Sequence, residues 1–265
     1  MSWIQDLLSE LSINSSSNFW TLFILLGGVA YAGKFFFKNH SPKFSDDQAK
    51  IVLGAILSLL GLLIGFVLSI SINGYNDRQK TEENEMLVIS SAFQRTQLLD
   101  SPQKEKAEKL LHEYLDARIE FFNADSLLEN KEWRITSTEK QKQLWDIAVN
   151  EARETPNPVI SSVLASYSDL YLSQEKTTVS WRDQIPKIVW ALLIFFAVVS
   201  NILIGYNARQ EQKMNLMILV LPFLMALSLF IISEIDVPGK GVIHVTPDDL
   251  LSLKDTLAHI AKNKN

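Results

Sequence analysis

The chain of 265 residues contains no cysteine, which excludes thiol nucleophiles, structural disulfides and cysteine-ligated metals. Histidine is scarce as well. The four present, His40, His112, His244 and His259, fall in separate segments without ligand-like spacing and read as surface residues, so no metal is expected. Basic residues are outnumbered 25 to 30, and a net charge of −5 argues against a nucleic-acid partner. No glycine-rich phosphate loop, nucleophile motif or paired-carboxylate pattern stands out, so neither an enzyme nor a bound cofactor is expected. The first seventeen residues hold no Lys or Arg and lack the basic start of a secretory signal, so no cleavage is expected.

Charge is also missing locally. From Ile51 to Ile72 the chain runs 22 residues without a charged side chain, then enters the polar string Asn73-Gly74-Tyr75-Asn76-Asp77-Arg78. A hydrocarbon core about 30 Å thick needs roughly twenty apolar residues of helix, so this segment is long enough to cross a bilayer. Phe19 to Phe37, interrupted only by Lys34, Ile188 to Tyr206, and Met214 to Ser233 repeat the signal. Four crossings are expected, and the mean hydropathy of +0.09 hides them by averaging over a polar middle. No charged residue lies deep in any of the four, which argues against a proton relay, a voltage sensor or an ion-coupled pump.

The expected fold is therefore an all-α membrane protein, with four transmembrane helices in two hairpins and a helical extramembrane domain between the second and third. Residues 1–18 form an N-terminal tail whose Trp3, Ile4, Leu7, Leu8 and Leu11 recur at helical spacing, as in a helix lying at a membrane surface. The first hairpin covers 19–72, the helical domain 73–185, the second hairpin 186–233, and a turn with an amphipathic helix 234–265. In the middle region Ala92, Phe93, Thr96 and Leu99 continue the second apolar helix, and Ser101-Pro102 supplies a stop and restart. Leu110, Leu111, Tyr114, Leu115, Phe121 and Phe122 make an apolar stripe at i, i+3 and i+4 spacing. A helix from Thr138 to Arg153, buried through Leu144, Trp145 and Ala148, ends at Pro156-Asn157-Pro158. Another, from Val159 to about Ser173, carries Val163, Leu164, Tyr167, Leu170 and Tyr171. Val242 to Val245 could extend, and Thr246-Pro247-Asp248-Asp249 reads as the start of a helix over Leu250 to Ala261.

Basic residues near the span ends divide almost evenly between the two sides, six (Lys34, Lys38, Lys43, Lys50, Arg209, Lys213) against five (Arg78, Lys80, Lys176, Arg182, Lys240). The start of the chain, which has no basic residue, tips the balance toward an outside middle region.

Within the second span, Gly54, Ser58, Gly61, Gly65 and Ser69 follow at steps of four or three and share one helix face leading to Asn73. Such a face supports close helix packing, with Gly61 and Gly65 at its centre. Turned toward a symmetry axis it would instead line a pathway, with Ser58, Gly65, Ser69 and Asn73 along it and Leu62 or Phe66 narrowing it. Beyond it, Tyr75 and Arg78 suit an interfacial anchor, while Arg78 with Asp77, Glu82 and Glu83 could form an ion-attracting vestibule.

The chain also resembles the bestrophin-like membrane proteins, a mostly bacterial family similar to bestrophin anion channels. Gly65-Phe66-Val67-Leu68-Ser69 leading to Tyr75-Asn76-Asp77-Arg78 is similar to that family's second-span exit, and Glu85, Ala92, Phe93, Arg95 and Leu99 to its next helix. Ile185-Pro186 with Trp190-Ala191-Leu192-Leu193 resembles the third-span entry. Asp236, Pro238, Gly241 and Val245-Thr246-Pro247 resemble the post-membrane turn, although Val237 and Gly239 replace the usual Arg and Phe. The resemblance implies a bacterial inner-membrane protein that self-associates as a homopentamer, with second spans around a central pore for a small anion. It also implies a cytoplasmic middle domain, against the lean of the charges. The acidic calcium cluster of animal bestrophins has no counterpart, so calcium gating is not expected. The competing expectation is a non-conducting membrane scaffold, or a sensor, whose helical domain docks a partner protein or ligand.

Overall fold

The structure, a computed structural model, describes residues 15–38, 46–124, 126–209, 216–239 and 243–263. The N-terminal stripe from Trp3 to Leu11, most of both expected hairpin turns, and Gly241 with Val242 lie outside these residues. The described residues form helices α1 (Ser15–Lys38), α2 (Asp46–Thr96), α3 (Gln103–Asn123), α4 (Leu127–Glu154), α5 (Pro158–Arg182), α6 (Lys187–Asn207), α7 (Met217–Asp236) and α8 (Asp248–Asn263). No strand occurs among them. The apolar parts of α1, α2, α6 and α7 are long and apolar enough to cross a membrane.

Local chemistry accounts for most of the boundaries. Helix α2 runs 51 residues without a break, about 75 Å, because the polar string after Asn73 contains neither Pro nor a run of glycines. It stops at Thr96, before a cis Ser101–Pro102 peptide. Helix α4 starts eleven residues before Thr138, because the Ser126 hydroxyl accepts the Glu129 N–H at 3.1 Å and caps it. Asn157 caps α5 through the Ile160 N–H at 2.9 Å, with Pro158 at the first helical position. Nothing then breaks α5 until Arg182, so it outlasts the expected end near Ser173.

The chain divides into two compact units. The first comprises 1–73, 184–237 and 241–243 and holds the four apolar segments. Its core gathers Leu26, Leu60, Val67, Ile185, Leu193, Ala197, Met225, Ala226, Leu229 and Ile232. Phe19 and Phe23 of α1 meet Phe223 of α7 edge-on, with ring centroids 5.6 and 5.7 Å apart. Helices α1 and α6 cross closely. A Cβ added at Gly33 would stand 2.8 Å from the Ile202 carbonyl oxygen, and one at Gly205 would strike the backbone of Ala30 and Lys34. The outer faces carry Ile24, Phe35, Ile51, Leu62, Ile188 and Phe195, all exposed and far more apolar than a water-facing surface tolerates. Buried Asn201 donates to the Ala197 carbonyl at 2.7 Å within its own helix.

The second unit comprises 74–183, 238–240 and 244–265. All six residues of the α3 stripe are buried here, together with Ile89, Ala92, Phe93, Leu144, Ala148, Val163, Tyr167 and Leu170. Two aromatics leave the expected pattern: Trp145 and Tyr171 are 43% and 53% exposed. Each follows a fully buried leucine, Leu144 or Leu170, and one residue along a helix turns a side chain about 100° away from the core. A polar network joins the helices at their centre. Gln141 Nε2 donates to the Tyr114 hydroxyl and the Leu170 carbonyl, both at 3.0 Å, and Tyr167 and Thr96 share a hydroxyl bond of 2.8 Å. Complete burial pushes the Tyr114 phenol well above its usual range, and it stays protonated.

Candidate functional site

Two faces of α2 differ sharply within the first unit. Leu60 and Val67 are buried in its core, and the Ser71 hydroxyl reaches the Ile232 carbonyl of α7 at 3.2 Å. Gly54, Ser58, Gly61, Leu62, Gly65, Phe66, Ser69 and Asn73 occupy the other side, and all are exposed. A Cβ added at Gly54, Gly61 or Gly65 would meet nothing within 4 Å. The small-residue stripe is thus unused by the chain's own packing, and the close crossing that glycine permits is made by Gly33 and Gly205 instead. The Ser58 hydroxyl bonds back to the Gly54 carbonyl at 2.9 Å, so its oxygen retains acceptor capacity on the open face.

The polar residues that follow α2 into the second unit separate by helical phase. Asp77 and Lys80 are exposed and pair at 3.4 Å. Glu83 is exposed too, whereas Arg78 and Glu82 are each only 2% exposed. The charges offered to solvent along this stretch are therefore Asp77, Lys80 and Glu83, and Arg78 lies inside, its Nη1 3.6 Å from where a Gly74 side chain would begin. Tyr75 packs partly buried against the core of this unit.

Glu85 is fully buried. It holds Arg118 of α3 in a two-pronged ion pair, Oε2 to Nε at 2.6 Å and Oε1 to Nη2 at 2.8 Å, and the Thr177 hydroxyl of α5 donates to Oε1 as well. The guanidinium lies over the Phe121 ring at 4.1 Å. Burial works against the charge on Arg118, but the adjacent Glu85 carboxylate outweighs it, and the arginine is held protonated above its usual range. Three helices are joined at one carboxylate, which α2 carries beyond its apolar stretch.

Two other motif segments prove to be neighbours. Ile185, just before Pro186, donates its backbone N–H to Asp236 Oδ1 at 2.9 Å, so the acid ending α7 supports the chain where it enters α6. Pro186 is exposed at the N-cap of α6, and Trp190, one turn later, packs partly buried on the core of the first unit. After Asp236 the chain turns at Pro238 and Gly239. Gly239 has φ +69°, and a Cβ there would lie 2.8 Å from the Trp181 ring, so a phenylalanine at this position is doubly excluded. The family resemblance pointed to Glu85 and Asp236, but not to Arg118, Thr177 or the Ile185 N–H that they meet.

No three His, Asp or Glu side chains gather as metal ligands among the described residues. A shallow groove of about 340 Å³ runs along α5, lined by Leu172, Glu175, Lys176, Val179, Ser180 and Asp183.

Compared with known proteins, residues 19–250 match a family model described as Bestrophin-like domain. No curated protein and no solved structure matches the chain.

Proposed function

From the premise that the chain belongs to the bestrophin-like family, we propose that this membrane protein is a homo-oligomeric ion channel in which copies of α2 surround a central pore. The observation that carries the reading is the unoccupied face from Gly54 to Asn73, which combines small residues, hydroxyls and one amide with no carboxylate. Around a symmetry axis, flanking glycines let neighbouring helices approach, and Ser69 and Asn73 offer hydroxyl and amide donors to a permeating ion, while the Ser58 hydroxyl, held by the Gly54 carbonyl, keeps the face polar. Leu62 and Phe66 supply the apolar constriction, which gates by dewetting. No acid along this face repels an anion, and the anion preference is the one the family implies. Asp77, Lys80 and Glu83 are the charges at its polar end. The subunit number implied by the family is five, in a bacterial inner membrane, with the helical unit facing the cytoplasm. The two apolar hairpins would cross the bilayer four times, and no enzymatic step is assigned.

Reconstitution in planar bilayers under a tenfold potassium chloride gradient tests this reading. The expected result is a conductance whose reversal potential lies toward the chloride equilibrium potential. No conductance over a range of pH, salt and voltage would sink the channel and leave the scaffold, for which the exposed Tyr171, Leu172 and Val179 of α5 offer a docking edge.

A further inference from the structure

Helix α8 is tied to α2 at a carboxyl group. The Leu250 N–H, one of the unpaired donors at the start of α8, is bonded to Glu82 Oε1 at 3.0 Å. Leu250 and Leu253 are buried in the core of the helical unit with Leu257 packed against it, and Lys254 pairs with Asp116 of α3 at 2.8 Å. Thr246 does not cap the helix; its hydroxyl bonds Asp248 at 2.7 Å. Asp249, the residue before Leu250, brings a second carboxyl beside Glu82, and its charge acts on it. With Glu82 only 2% exposed and Asp249 half-buried beside it, the two carboxyls do not both ionise without cost.

We infer that Glu82 and Asp249 form a pH-sensitive latch that holds the C-terminal helix, residues 248–263, against α2, tight when the pair retains a proton and loosened when both are charged. Burial is the main cause that raises Glu82, to about 7; the Leu250 N–H opposes it, and the charges of Asp249 and Glu85 add to it. Neighbouring charged groups have interactions of their own. Arg118 of α3 answers Glu85, Asp116 and Glu120 of α3 act on Lys254, and α5 contributes the uncharged Thr177. Arg78, one turn earlier on α2, is buried. The undocked carboxyl titrates near 4.5 and the docked one near 7. Docking is therefore fully supported below about pH 4.5, weakens as pH rises from there to 7, and levels off above.

Hydrogen exchange of the full-length protein in detergent, read on peptides covering 248–263 and corrected for intrinsic rates, tests the latch between pH 4.5 and 8. Protection of α8 is expected to fall by about tenfold or more across this window, while α3 and α4 peptides stay constant. In Glu82→Gln, whose amide accepts from Leu250 and donates to Asp249 at every pH, protection is expected to be flat. In Asp249→Asn the fall is expected to move to lower pH, which keeps the test decisive if Glu82→Gln folds poorly. Constant protection in the native chain overturns the latch. So does a fall that persists unchanged in both variants, which would assign the effect to His244 or His259.

Discussion

Replacing Arg118 with alanine is expected to destabilise the helical unit by about 3–5 kcal/mol, the cost of leaving a buried carboxylate without its partner. Glu85 and Arg118 are both at 0% exposure, so no water takes the place of the guanidinium. The substitution also removes the cation over Phe121. Surface pairs on the same unit provide the contrast. Breaking Lys254–Asp116, where both side chains are about half exposed, is expected to cost under about 1 kcal/mol. Denaturant unfolding of purified protein, followed by tryptophan fluorescence, measures both. Paired replacement, Glu85→Leu with Arg118→Met, is expected to recover much of the loss, because a buried ion pair repays little more than its own desolvation. A double variant as unstable as Arg118→Ala would show that the pair itself, rather than the orphaned charge, carries the stability.

Gly205→Leu is expected to abolish assembly of the apolar unit. At this crossing the first added atom already collides with the backbone of Ala30 and Lys34, which unlike a flexible side chain has nowhere to move. Helices α1 and α6 would have to separate by some ångströms, giving up the contacts around Gly33 and Ile202 and the Phe37–Tyr206 ring pair at 5.2 Å. Gly61→Ala on α2 provides the comparison, since its Cβ meets nothing within the chain. Size-exclusion profiles in detergent are expected to show Gly205→Leu aggregated or absent. Gly61→Ala is expected to keep a folded subunit, with any change confined to association between subunits.

That contrast marks where the sequence stops being legible. Charge-free runs reveal the four apolar helices because only such runs satisfy a bilayer, and the i, i+3, i+4 stripe of α3 reveals its buried face for the same reason of one-sided solvation. Which glycines make the close crossing cannot be read that way. Gly54, Gly61 and Gly65 form the more conspicuous repeat, yet the crossing uses Gly33 and Gly205, two single glycines far apart in the chain. Arg118 was equally hidden. In an amphipathic helix rich in Lys and Glu it resembles one more solvated charge, and only the position of Glu85 across the core explains its burial. The family resemblance picked out Glu85 and Asp236 as special residues. The bonds that make them so, to Arg118, Thr177 and the Ile185 N–H, depend on helices meeting in space. Glu82 shows the same limit: Thr246 has the right residue type for a cap, and the donor is satisfied from another helix.

The claim that α2 lines a water-filled pore is tested most directly by single cysteines, placed one at a time in a chain that has none of its own. Ser58, Ser69 and Asn73 report the open face, and Leu60 and Val67 the packed one. With the protein reconstituted in lipid vesicles, a charged, membrane-impermeant thiol reagent is expected to modify the first three, reduce the conductance as it does so, and leave the last two unmodified. Inaccessibility of Ser58, Ser69 and Asn73 alike, in protein whose other properties are intact, would place that face against protein or lipid and contradict the channel.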